Sequence, residues 1–251
     1  MTTLKSILEF TETFAPLSTA ADFDNCGLLV GSEEQTVTKA LVTLDITKDV
    51  VQEAKEMGAQ LIISHHPVIF NPLKSLSASS VPYLLANSGI AALCLHTNLD
   101  IASECGVNVC LAEALKLSDC RLYPEEFVLT GKLPRAMSAE EFALYTKEQL
   151  HAPCVAFTPS ERVIETVAMC SGAGGDFYSL AKEKGADAFL TGEAKHHEYL
   201  EAAACDIPMV TAGHFHTEDV VVVPLRNKLS AQFADVEFIK SERGRNPYLC
   251  V

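Results

Sequence analysis

The sequence predicts an α/β protein of two related α/β domains, with mainly parallel sheets flanked by helices. Three observations predict it. Short apolar runs alternate with amphipathic stretches along most of the chain. The runs are nearly continuous in Val, Ile, Leu and Ala, as strands buried on both faces of a parallel sheet are. The alternation then occurs a second time, with matching segments in the same order.

Element by element, TKALVTLDIT (38–47) reads as a strand. KDVVQEAKEMG (48–58) reads as a helix that stops at Gly58, a C-cap residue. AQLIISHH (59–66) is a short strand, SVPYLLANSG (80–89) a short helix, IAALCLH (90–96) a buried strand and CGVNVCLAEALKL (105–117) a helix. Residues 118–137 lose this rhythm and carry Pro124 and Pro134. A domain junction is placed there. It gives a first domain over 1–124 and a second over 125–251, whose C-terminal segment can pack back on the first. Ser138 and Glu141 form a capping box for the helix SAEEFALYTKEQL (138–150).

The second half repeats the first. AKEMGAQLIISHH (54–66) lines up with AKEKGADAFLTGE (181–193). Each has a helix end, a glycine turn, an apolar strand and a polar tip. IAALCLHTNLD (90–100) matches IPMVTAGHFHTE (207–218): an apolar strand, a histidine, three residues and a carboxylate.

Composition narrows the function. The formal charge is −14, and such a surface repels phosphate backbones, which counts against nucleic-acid binding. No apolar run reaches the about 18 residues of a membrane helix. MTTLKSILEF lacks a basic stretch followed by an apolar core, so it is not read as a secretory signal. The nine cysteines are odd in number and contain no CxxC pair. They read as reduced core thiols of a cytoplasmic protein, not as a zinc site.

Chemistry collects past the strand ends, where parallel α/β sheets bind ligands. His65 and His66 end one strand, His96 and Asp100 follow another, and His214 and Glu218 follow a third. A His-x3-carboxylate pair shares one face if the chain turns helical after its strand. Imidazole and carboxylate without thiolate favour zinc, iron or manganese. Adjacent side chains diverge and Pro67 keeps His66 extended, so each imidazole of the pair can serve its own ion in a two-metal centre. His196 and His197 read as a solvated helix face. His216 competes as a ligand, and His151 has no partner in sequence. CSGAGGD (170–176) is either a tight turn with Asp176 as N-cap or a backbone nest that contacts an anion or a substrate. DFDNCGLLVG (22–31) signals only a turn and a short strand.

Together these segments resemble the Nif-three-like family, whose members carry the name GTP cyclohydrolase 1 type 2 homologue. DNCGLLVG, LIISHHPVIFNPLKSL, LHTNLD, GVNVCLAEALKL, SGAGGDFYSLAKEKGADAFLTGE and AGHFHTE run in family order over nearly the whole chain. The resemblance implies two divalent metal ions per chain (zinc, iron or manganese) in a dinuclear site between the domains, and a ring-like homohexamer. It carries metal-ligand roles onto His65, His66, Asp100, His214 and Glu218. His96 matches a histidine that is either a ligand or an acid/base, and Glu193, in the repeat position of His66, joins it as a catalytic candidate. Val109 departs from an Asp often found there. The implied activity is dinuclear metal-dependent hydrolysis of a small molecule, a nucleotide among the candidates, by GTP cyclohydrolase-like attack of activated water on a purine ring. The alternative is a metal-binding regulatory or interaction protein without turnover.

Overall fold

The computed structural model describes residues 1–251. Its strands are β1 Gly27–Val30, β2 Lys39–Thr43, β3 Leu61–Ser64, β4 Ala91–Cys94, β5 Ser118–Tyr123, β6 Val128–Met137, β7 Ala156–Phe157, β8 Ile164–Cys170, β9 Ala188–Thr191, β10 Met209–Thr211 and β11 Glu237–Lys240. Its helices are α1 Leu4–Thr11, α2 Lys48–Met57, α3 Val81–Asn87, α4 Thr97–Asp100, α5 Val107–Ala114, α6 Ala139–Gln149, α7 Tyr178–Glu183, α8 His196–Ala204, α9 His214–Glu218 and α10 Val222–Gln232.

Local chemistry sets the helix ends. The Thr47 side chain accepts from the Val50 amide at the start of α2, and Gly58 closes that helix in the left-handed conformation at φ +67°. Pro82 sits in the first turn of α3, where its missing N–H costs no hydrogen bond. Ser138 and Glu141 form the expected reciprocal capping box on α6.

The chain divides into two compact units, Met1–Cys105 with Val222–Arg245, and Gly106–Val221 with Asn246–Val251. The first holds a sheet in the order β1-β4-β3-β2-β11, parallel except for β1. The second holds the order β5-β6-β8-β9-β10-β7. Only β8, β9 and β10 are parallel there; β5, β6 and β7 each run antiparallel to a neighbour. The second sheet is therefore mixed rather than mainly parallel. The physical reason lies in residues 118–137. They form an antiparallel hairpin around Pro124–Glu126 and Phe127, which is left-handed at φ +56°.

The two halves share one topology. β1-β4-β3-β2 corresponds to β7-β10-β9-β8 in order, chain sequence and direction. The helices correspond too: α1 with α6, α2 with α7, α3 with α8, and α4 with α9. The segment after each repeat is exchanged between the units. After α4 the chain enters the second unit, where β6 borders β8. After α9 it returns to the first unit, where β11 borders β2.

Both central sheets are covered on two faces, which explains the continuous apolar runs. In the second unit Phe189 packs with Ala168, Met209, Ala181 and Ala202. Its neighbour Leu190 points the other way, among Val167, Val210, Leu111, Leu115 and Phe142. In the first unit Leu41, Ile62 and Ala92 pack on Val50, Val51 and Ala54 of α2 and Leu85 of α3. Each fully buried Leu, Ile or Phe contributes about 1.5–3 kcal/mol. Of the nine cysteines only Cys94, Cys110 and Cys170 are buried, so most are not core thiols.

The returning segment is held by a buried carboxylate. Glu53, on α2, accepts from the Ser241 hydroxyl and from the amides of Glu242 (2.8 Å) and Arg243 (3.3 Å). Glu53→Ala removes this acceptor from the Ser241 hydroxyl and the Glu242 amide, while the Arg243 amide keeps Ser241 Oγ at 3.2 Å. The substitution is expected to destabilise the protein by about 1–3 kcal/mol, read by urea denaturation, with faster hydrogen exchange at 241–245.

Candidate functional site

In the first unit β3 ends at Ser64, and His65 and His66 lie just past its end. Their amides donate to Thr43 O (3.2 Å) and Leu44 O (2.9 Å). His65 is buried and His66 half-buried. The rings do not part as adjacent strand residues would. Their centroids are 5.0 Å apart, and His96 stands 5.1 Å from His65 and 5.5 Å from His66. One ligating nitrogen from each of the three lies within 4.8 Å of the others. Beyond the strand the alternation rule no longer applies, so neighbouring rings can face one centre.

Each ring is oriented from its Nδ1 side. His65 Nδ1 donates to the Leu95 carbonyl at 2.9 Å. A carbonyl only accepts, so Nδ1 carries the proton and Nε2 is the ring atom with the acceptor lone pair that could ligate a metal. His66 Nδ1 meets Asp45 at 2.8 Å, and His96 Nδ1 meets Asp24 at 2.8 Å. Carboxylate–imidazole pairs of this kind set the tautomer and raise the basicity of metal-binding histidines. Asp100, at the end of α4, brings a carboxylate oxygen to 3.5 Å from His65 Nε2.

Asp24 is a hub. Besides His96 it accepts from the amides of Asn25 (2.7 Å) and Thr97 (3.0 Å), the Thr97 hydroxyl and the Cys26 thiol (2.9 Å). Asn98 completes the turn, accepting from the His96 amide at 3.0 Å and donating to Ala15 O at 2.7 Å. Burial pushes the Asp24 carboxyl up, but the bonds from His96, Cys26 and Thr97 outweigh it and hold the group well below its usual range.

In the second unit α9 presents His214 and Glu218 on one face, as the His-x3-Glu spacing requires. His214 Nε2 lies 3.0 Å from Glu218, which is buried, and His214 Nδ1 lies 3.3 Å from Glu193. Glu193 thus occupies the place that Asp45 and Asp24 hold for His66 and His96. Two glycines let α9 sit close. A Cβ on Gly172, at φ +61°, would lie 2.1 Å from Glu218 Oε1, and one on Gly192 would lie 2.6 Å from Thr217 Oγ1.

The glycine loop spends its amides on side chains. The amides of Ser171, Gly172 and Gly174 donate to Asn108, Thr217 and Thr191 side chains at 3.0–3.1 Å. These amides serve packing rather than an anion. Asp176 lies inside a 3-10 turn and caps no helix. His196 and His197 are exposed at the start of α8, as a solvated face requires. His216 contacts the Asn246 side chain at 3.4 Å and lines a cavity of about 490 Å³ within the second unit, as do Glu193, Lys195, Tyr199 and Tyr248. Sequence reasoning missed Asp24 and Asp45. Asp45 follows β2, so the strand-end rule could have found it.

The residues fit divalent metal. Each unit brings imidazole and carboxylate together with no thiolate, on histidines whose Nδ1 atoms are engaged by acceptors.

Fold and donor set define a duplicated α/β protein suited to holding metal past its strand ends. The chain belongs to the Duf34/NIF3 (NGG1p interacting factor 3) family, whose model matches residues 2–247. It is 30% identical to a GTP cyclohydrolase 1 type 2 homolog of Clostridium perfringens, over 98% of both chains. It is 35% identical to NIF3-like protein 1 of Drosophila melanogaster, over 86% of this chain and 77% of the other. Among solved structures it is similar to Staphylococcus aureus protein SA1388, with a TM-score of 0.93, 26% identity and coverage of 100% and 99%. Reduced HcgD from Methanocaldococcus jannaschii gives a TM-score of 0.82 at 29% identity, with coverage of 96% and 98%. No helix is long and apolar enough to cross a membrane.

Because its folded-state pKa is lowered, Asp24 stabilises the fold fully above the usual Asp range, and this is lost as pH falls toward the folded value. Asp24→Asn is therefore expected to lower the melting temperature at pH 7. The gap to the parent protein should narrow below about pH 4; a gap that is constant with pH would contradict it.

Proposed function

We propose that the protein is a dinuclear metal-dependent hydrolase acting on a small molecule, with a purine nucleotide as the first candidate. His65, His66, Asp100, His214 and Glu218 would hold two divalent ions, zinc, iron or manganese. The observation that carries this reading is the shared wiring of four histidines. In each, Nδ1 is engaged by a carboxylate or a carbonyl, so Nε2 is committed to one direction. Structural histidines have no reason to share this arrangement four times at strand ends.

When bound, such ions supply Lewis acidity and lower the pKa of water. The chain's own residues do the rest. Asp45, Asp24 and Glu193 keep their imidazoles in one tautomer and one orientation. His96, fixed by Asp24, is placed to move a proton beside His65 and His66, or to act as a further ligand. Glu193 reaches from His214 to the cavity wall, where it can take up or return a proton. Relatives named for GTP cyclohydrolase support a nucleotide. A net charge of −14 disfavours an extended nucleic acid. We further propose a ring-like homohexamer inside the cell, to be read by mass in solution.

Elemental analysis of the purified, metal-loaded protein is expected to find two ions per chain, and at most one in His65→Ala and in Glu218→Gln. Full loading of both variants would refute the ligand assignment. With GTP the loaded protein is expected to release formate. Two bound ions with no formate at high enzyme concentration would reject GTP and leave other hydrolysable substrates. Two bound ions with no turnover of any nucleotide or phosphoester would favour a metal-binding regulatory protein.

A further inference from the structure

The C-terminal segment Asn246–Val251 belongs to the second unit and walls its cavity. Tyr248 and Cys250 line that cavity, as does Cys154 from the link between α6 and β7. The sulfurs of Cys154 and Cys250 are 2.7 Å apart. A disulfide holds its sulfurs at roughly 2.0 Å, so bond formation asks for less than an ångström of closure. Cys26 and Cys94 also neighbour each other, but Cys94 is buried, and that burial pushes its thiol far up and keeps it protonated. Cys154 is exposed and Cys250 partly exposed, so a soluble oxidant can reach them.

We propose that Cys154 and Cys250 are a redox-modification site, a reversible disulfide that staples the C-terminal segment onto the cavity wall. The oxidant is a low-molecular-weight disulfide. The Cys154 thiolate, its proton lost to solvent, attacks one sulfur of that molecule. A mixed disulfide forms and one small thiol leaves. The Cys250 thiolate, likewise deprotonated, then attacks Cys154 Sγ and expels the second small thiol. Two protein thiols become one disulfide and one small disulfide becomes two thiols, so atoms and electrons balance. Cys154 is the more exposed of the two, which suits it as the first attacker.

The staple has a structural target. The Tyr248 hydroxyl sits against Gly213, 2.9 Å from where a Cβ would stand, and Asn246 meets His216. Gly213 directly precedes His214. Fixing the tail therefore fixes what packs against the first residues of α9 and one wall of the cavity.

The test treats the reduced full-length protein with oxidised glutathione and blocks remaining thiols by alkylation. Peptide mapping is expected to find one internal Cys154–Cys250 link, loss of two thiols, and full reversal by dithiothreitol. Hydrogen exchange at 246–250 should slow in the linked form. Cys154→Ser and Cys250→Ser should each abolish the link, and the remaining cysteine of the pair should keep glutathione as a stable mixed disulfide. Glutathione adducts on both cysteines of the parent protein would overturn the proposal. So would links between other cysteines or between chains, or an unchanged exchange rate in the tail.

Discussion

A histidine ring past a strand end is held in one tautomer and one direction for a shared ligand when an acceptor engages its second nitrogen. That constraint organises this molecule. Leu95 O, Asp45, Asp24 and Glu193 take the Nδ1 sides of His65, His66, His96 and His214. The remaining nitrogens then have fixed directions. Much of the local structure serves those acceptors. Asp24 is held by donors from both sides of its turn, and Thr97 and Asn98 lock the chain as it leaves β4.

The duplicated fold explains why the same wiring recurs. In both repeats a parallel strand ends, the chain turns into a helix of one turn, and a carboxylate arrives four residues after the histidine. The details have since diverged. Glu218 pairs with His214 of its own turn, whereas Asp100 reaches His65 from the neighbouring strand's end. The exchange of the segments after α4 and α9 ties the repeats together through the chain itself. Glu53, in the first unit, anchors the last of these crossings.

Much of this was legible in the sequence. Periodicity marked α2, α3 and α5, Gly58 and Ser138 marked helix ends, and the His-x3-carboxylate spacing marked the turns after β4 and β10. The hairpin β5–β6 was not legible, because β5 is largely exposed, Pro124 follows it and Pro134 interrupts the exposed end of β6, so neither period stands out. Asp24 and Asp45 were missed for another reason. A carboxylate that orients a ring is chosen by distance in space, and Asp24 lies 72 positions from His96. The glycine loop misled because glycine serves close packing as readily as anion binding. At Gly172 the neighbour that needs the room is Glu218.

The most direct measurement is an anomalous-scattering map from crystals grown with the metal bound. Two peaks per chain are expected, about 3.5–4 Å apart, ligated by His65, His66, Asp100, His214 and Glu218. Each histidine should bind through Nε2, with Asp45 still on His66 Nδ1 and Glu193 on His214 Nδ1. A single peak, ligation through Nδ1, or metal held elsewhere while these side chains keep their present partners would contradict it.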